Sequence, residues 1–115
     1  MKKLLFAIVL ALFSVLAFAT EEHSVEEKWI EELWIDVRSV AEFNEGHLAA
    51  AVNIPHTQIA GQIADHAVSK VQPIKLYCRS GGRAGIAKAA LDALGYSNVS
   101  NEGGYQELIT QLPSS

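Results

Sequence analysis

The sequence predicts an α/β domain whose parallel sheet is covered by helices on both faces. Short strand-like runs recur at Leu33 to Val37, Ala50 to Ile54, Ile74 to Tyr77 and Asn98 to Ser100. Helix-forming stretches alternate with them, and the loops between are short. That alternation makes right-handed crossovers, hence parallel pairing.

Each element has a local reason. Leu33 to Val37 reads Leu-Trp-Ile-Asp-Val, an apolar run of strand length. Ser39 and Glu42 then have the spacing of a capping box, in which hydroxyl and carboxylate satisfy each other's orphan amides. A short helix follows, stopped by Gly46. Ala50 to Ile54 is the second strand, ended by Pro55, which has no amide to give a ladder. Thr57 is expected to cap a helix with Ile59, Ala60, Ile63, Ala64 and Ala67 on one face. Ile74 to Tyr77 is apolar apart from Lys75. Arg83 to Leu94 carries Ala84, Ala87, Leu91 and Leu94 on one stripe, with Gly95 as its C-terminal cap. Asn98 to Ser100 forms the last strand, and Gly104 to Leu112 a final helix stopped by Pro113.

The start of the 115-residue chain reads as a secretory signal peptide. Lys2 and Lys3 form a basic tip, Leu4 to Phe18 is apolar except for Ser14, and Ala17-Phe18-Ala19 offers small residues to a signal peptidase. Cleavage is expected after Ala19, with the periplasm as destination. A membrane anchor needs about 20 apolar residues, and Glu21 and Glu22 end the run too early. No cysteine stands near the cleavage site to be acylated. The mature chain, Thr20 to Ser115, has seven basic and thirteen acidic residues, a net charge of −6 with histidines neutral. That balance excludes a basic nucleic-acid surface. Six glutamates crowd residues 20–32 and read as a solvated lead-in, leaving 33–115 as one domain without repeats or linkers.

Cys78, the only cysteine, follows the third strand in Ile-Lys-Leu-Tyr-Cys-Arg-Ser-Gly-Gly-Arg-Ala-Gly. In an exported protein a lone cysteine cannot close an internal disulfide, which makes it a candidate reactive thiol. The thiolate is the nucleophilic form, and a helix N-terminus with Arg79 and Arg83 nearby favours it. Gly81 and Gly82 allow consecutive amides to converge on one point above the sulfur. Such a loop holds a negative sulfur, or an oxyanion attached to it, with no metal or organic cofactor.

Cys78-Arg79-Ser80-Gly81-Gly82-Arg83 resembles the cysteine-x4-arginine active-site loop of the rhodanese family of sulfurtransferases. Ile35-Asp36-Val37-Arg38, Glu42-Phe43, Gly46-His47-Leu48 and Ala51-Val52-Asn53-Ile54-Pro55 are similar to the family's N-terminal signature. Gly95-Tyr96, Val99 and Gly103-Gly104 match its C-terminal one. The likeness spans Ile35 to about Leu108 and implies a single-domain, rhodanese-like fold. With little chain before Leu33, four or five strands are expected. The resemblance implies sulfur transfer from thiosulfate through a Cys78 persulfide to cyanide or a thiol, with Arg79 to Arg83 as the substrate-binding loop. It implies no cofactor and no metal, and a monomer is expected, with no nucleic-acid partner and no lasting membrane attachment.

Two other readings compete. Phosphatases and arsenate reductases place a related loop under a tetrahedral oxyanion, but with five residues between cysteine and arginine, whereas Cys78 and Arg83 enclose four. A persulfide carrier or partner-binding module is the non-enzymatic reading. Asp36 and Arg38 end the first strand on the same side as Cys78 and are candidates for the active-site rim, expected to pair with loop amides or with Glu42. His47 is expected to fix a turn. His23, His56 and His66 lack metal-ligand spacing, and Trp29 and Trp34 read as packing residues.

Overall fold

A computed structural model describes residues 31–114. The expected signal peptide, the lead-in up to residue 30, His23 and Trp29 lie outside the described residues. Among the described residues, no helix is long and apolar enough to cross a membrane.

Four strands form one parallel sheet: β1 (Leu33–Asp36), β2 (Val52–Asn53), β3 (Ile74–Cys78) and β4 (Val99–Gly104), in the order β2-β1-β3-β4. The chain leaves β1 toward one edge of the sheet and β3 toward the other, so the connections diverge between these two central strands. Ligands of open α/β sheets bind outside the C-terminal strand ends at such a divergence. Asp36 lies opposite Tyr77 in the β1–β3 register, which brings the residues just after β1 level with those just after β3.

Alternation along the strands divides the core into two layers. Ile35, Ile74, Leu76 and Cys78 face one side, against α2 (Ile59–Gln62, continued by a 3-10 turn at Ile63–Asp65) and α3 (Gly82–Ala93). Trp34 and Tyr77 face the other, with Phe43 of α1 (Val40–Glu45) and with Tyr105 and Leu108 of α4 (Tyr105–Leu108). The capping box at α1 is present in both directions, Ser39 accepting from the Glu42 amide while Glu42 accepts from the Ser39 amide. At the end of α3, Gly95 N–H donates to Asp92 and Tyr96 N–H to Leu91, a Schellman pair that satisfies the last carbonyls.

Several expected elements differ. Gln58, not Thr57, precedes α2 and offers no side-chain cap, and the helix lasts one turn before tightening. Only Ile59 and Ile63 of its expected stripe are buried, while Ala60 and Ala64 are exposed. Leu94 is 43% exposed and does not join the buried stripe of Ala84, Ala87 and Leu91. The second strand shortens to Val52–Asn53, whereas the last extends to Gly104 across a register shift opposite Leu76 and Cys78. That extension consumes the expected start of the final helix, which keeps only Tyr105–Leu108 before turns lead to Pro113.

Candidate active site

β3 delivers Cys78 to the C-terminal edge of the sheet, and α3 begins four residues later. Between them the chain curls around the sulfur. Gly81 adopts φ 99°, in the left-handed region, and its N–H points back to Cys78 Sγ at 2.9 Å; the Ala84 amide follows at 3.4 Å. A side chain at Gly81 would strain that turn. Burial pushes the Cys78 thiol up, but the amides of Ala84, Ser80, Gly81 and Arg83 donate to the sulfur and outweigh burial, leaving the thiol below its ordinary value. Cys78 is 1% exposed. The thiolate is therefore held by peptide groups and a helix N-terminus, with apolar neighbours beneath it.

Arg83 gives its amide to the sulfur and turns its side chain to Glu42. Its Nη1 and Nη2 form a fork on Glu42 Oε1 and Oε2 at 2.7 and 3.0 Å. The pair ties the start of α3 to α1, and the Arg83 hydrogen bonds hold the Glu42 carboxyl down at about 2. Glu42 thus serves both its own capping box and the far end of the loop, 41 residues away. Arg79 and Ser80 remain exposed at the rim.

Asp36 and Arg38 pair with each other, and not with loop amides or Glu42. Arg38 Nε reaches both Asp36 oxygens at 3.0 Å and Nη2 reaches Oδ2 at 2.6 Å, while the Arg38 amide donates to Oδ1. Nη2 also donates to the Gly46 carbonyl at 2.7 Å. The guanidinium carbon lies 4.5 Å from the centre of the Tyr105 ring, a cation–π arrangement. Arg38 and Arg79 line the same cleft of about 300 Å3, beside the loop, with Glu42, Glu45, Tyr105 and Gln106. His47 does fix a turn: its Nδ1 meets the Phe43 carbonyl at 2.8 Å and its ring stacks on Phe43.

Three residues of the last strand and helix complete the loop's support. Asn101 of β4 donates from Nδ2 to the Gly81 carbonyl and accepts the Gly103 amide at Oδ1, both at 2.9 Å. It clips the loop to the edge strand. Gly104 lies so close that a Cβ there would stand 2.5 Å from the Arg79 carbonyl oxygen. Tyr105 covers the Arg38 guanidinium. Asn101 is not singled out by the sequence reading, although an asparagine two residues before Gly-Gly is an available signal, since such side chains bond to nearby backbone. Among the described residues, no cluster of three or more His, Cys, Asp or Glu side chains is placed to hold a metal ion.

A family model described as the Rhodanese-like domain matches residues 21–111. Thiosulfate sulfurtransferase PspE of Escherichia coli (strain K12) is 35% identical over 73 residues, which span 64% of this chain and 70% of that protein. A solved rhodanese with anions from E. coli superposes with a TM-score of 0.70 at 34% identity, over 74% of this chain and 98% of that one. A rhodanese-related protein from Thermoplasma volcanium superposes at 0.62 with 26% identity, over 73% and 83% of the two chains.

Proposed function

The chain belongs to the rhodanese-like domain family, and on that premise we propose that it is a thiosulfate sulfurtransferase working through Cys78. The Cys78 thiolate attacks the outer sulfur of thiosulfate. A sulfur–sulfur bond forms to Cys78, the bond within thiosulfate breaks, and sulfite leaves with the electron pair. Cyanide or a thiolate then attacks the outer sulfur of the Cys78 persulfide, which restores the thiolate and carries sulfur away. Covalent catalysis replaces one transfer with two displacements.

The observation that carries this reading is the set of amides on Cys78 Sγ, which stabilises the thiolate that attacks thiosulfate and that the second displacement restores. Arg79 to Arg83 supply the loop. Arg79 is available to the sulfonate end of thiosulfate, whereas Arg83 acts through Glu42 to hold the loop in place. No cofactor or metal is required by these steps. The N-terminal signal-like segment supports a periplasmic enzyme.

Intact mass tests the proposal. After thiosulfate treatment the protein is expected to gain one sulfur atom, lost again on adding cyanide, and Cys78→Ser is expected to abolish both the gain and turnover while melting like the wild type. Hydrolysis of p-nitrophenyl phosphate without sulfur uptake would select the phosphatase reading instead. Sulfur uptake that no acceptor discharges would leave a carrier.

A further inference from the structure

Arg38 has more donors than its partners use. Asp36 and the Gly46 carbonyl occupy Nε and Nη2, while Nη1 has no hydrogen-bond partner among the described residues. Arg38 is only 6% exposed. Even so, no fully buried side-chain nitrogen or oxygen among the described residues lacks a partner, so Nη1 meets solvent. Arg38 and Arg79 both line the cleft beside the loop.

Position and rigidity make this donor useful. Asp36 is level with Tyr77 across β1 and β3, which sets Arg38 beside the residue that follows Cys78. The fork on Asp36, the bond to Gly46 and the Tyr105 ring fix the guanidinium plane, so a ligand that uses Nη1 orders nothing further. Asp36 already balances the charge of Arg38, and the acidic Glu45 lines the same cleft as Arg79. Recognition here therefore rests on directed donors more than on net charge. A planar or tetrahedral oxygen group, which accepts from guanidinium in fixed directions, fits that requirement.

We propose that Arg38 Nη1, with Arg79 beside it, holds the sulfonate or carboxylate end of the molecule that exchanges sulfur with Cys78. The proposal rests on the sulfurtransferase reading and assigns Arg38 a binding role in addition to its structural pair with Asp36. The oxygen group belongs either to the donor, as the sulfonate end of thiosulfate, or to an acceptor, as the carboxylate of a small thiol.

Alkylation of Cys78 in the full chain reads the subsite without any sulfur transfer. Iodoacetate carries a carboxylate, and iodoacetamide is its neutral counterpart of similar size. Arg38→Lys keeps a cation opposite Asp36 but removes the fork, and is expected to lower the iodoacetate-to-iodoacetamide rate ratio about tenfold, the scale of one lost charge-assisted hydrogen bond. The pH dependence of the iodoacetamide rate, which reports the thiol itself, is expected to stay unchanged. Arg79→Gln should lower the ratio in the same direction. The two half-reactions then locate the oxygen group. A loss confined to persulfide formation assigns it to thiosulfate, and a loss confined to discharge by mercaptoacetate, with 2-mercaptoethanol unaffected, assigns it to the acceptor. An unchanged ratio in folded R38K, or a changed ratio with both half-reactions intact, overturns the proposal. If R38K does not fold, the Arg38 Nε–H resonance of the wild-type protein decides, since it must shift on titration with sulfite and a fixed resonance overturns the subsite. A wild-type chain that takes up no sulfur from thiosulfate would instead overturn the sulfurtransferase reading, leaving the alkylation ratio to judge the subsite.

Discussion

The two faces of the sheet are built from different materials. Under α2 and α3 the filling is almost wholly aliphatic: Ile35, Ile54, Ile59, Ile63, Ile74, Leu76, Ala84, Ala87 and Leu91, with Cys78 at the end of the row. Against α1 and α4 it is aromatic and partly polar, with Tyr77 receiving the Leu48 amide and Arg38 clamped between Asp36 and Tyr105. The sulfur thus rises from the dry side and the guanidinium from the other, and they converge at the C-terminal edge between β1 and β3. One layer supplies stability and an apolar seat for the Cys78 sulfur, and the other supplies directed donors. Burial also holds the Tyr77 hydroxyl well above its ordinary value, so it enters the second layer as a neutral group.

The largest blow to this division should come from the aliphatic side. Leu91 is fully buried, and Leu91→Ala is expected to cost about 2 to 5 kcal/mol of stability, read from urea unfolding, while the protein that remains folded transfers sulfur normally. A selective loss of activity at unchanged stability would erase the distinction between the layers. Gly104→Ala attacks the junction. Its new Cβ collides with the Arg79 carbonyl, and overpacking of this kind costs about 1 to 3 kcal/mol. Because the displaced part is the loop, turnover should fall more than stability, and a normal kcat with a lowered melting temperature would contradict that.

Smaller effects sharpen the picture. Asn101→Ala removes the clip on Gly81, worth about 1 kcal/mol for the neutral bonds involved. The expected result is a Cys78 thiol shifted upward, measured by the pH dependence of alkylation, and an unmoved profile would show that β4 merely lies beside the loop. The mildest test is acid. Glu42 sits at about 2 when folded, against an ordinary value of 4.5. Its lowered value means that its contribution is complete above about pH 4.5 and is lost as pH falls toward 2. Glu42→Gln should flatten that part of the stability curve, and a curve identical to the wild type would show that the Arg83 pair contributes nothing measurable.

Local signals carried much of this. Ser39 and Glu42 announce α1 because a capping box is complete within four residues, and Gly95 ends α3 for an equally local reason. The Cys78 loop was legible because strand, glycine pair and helix start are contiguous around it. What stayed hidden depends on chain segments far apart. Glu42 looks like a cap in the sequence, and only the folded chain brings Arg83 to it from 41 residues away. The same holds for Asn101, whose partner Gly81 is 20 residues off. Arg38 and Asp36 are near neighbours, yet Tyr105 and Gly46, which fix the guanidinium plane, come from other elements. Thr57 misled because a good capping residue need not be the one the chain places at the helix start.

The amides around Cys78 have a genetic consequence. A peptide N–H belongs to the backbone, so codon changes at positions 79 and 80 alter the exposed side chains and leave the donors to the sulfur in place. Heredity can vary the loop's outward chemistry while its charge-holding part is copied unchanged. Proline is the exception, since it alone arrives without an N–H.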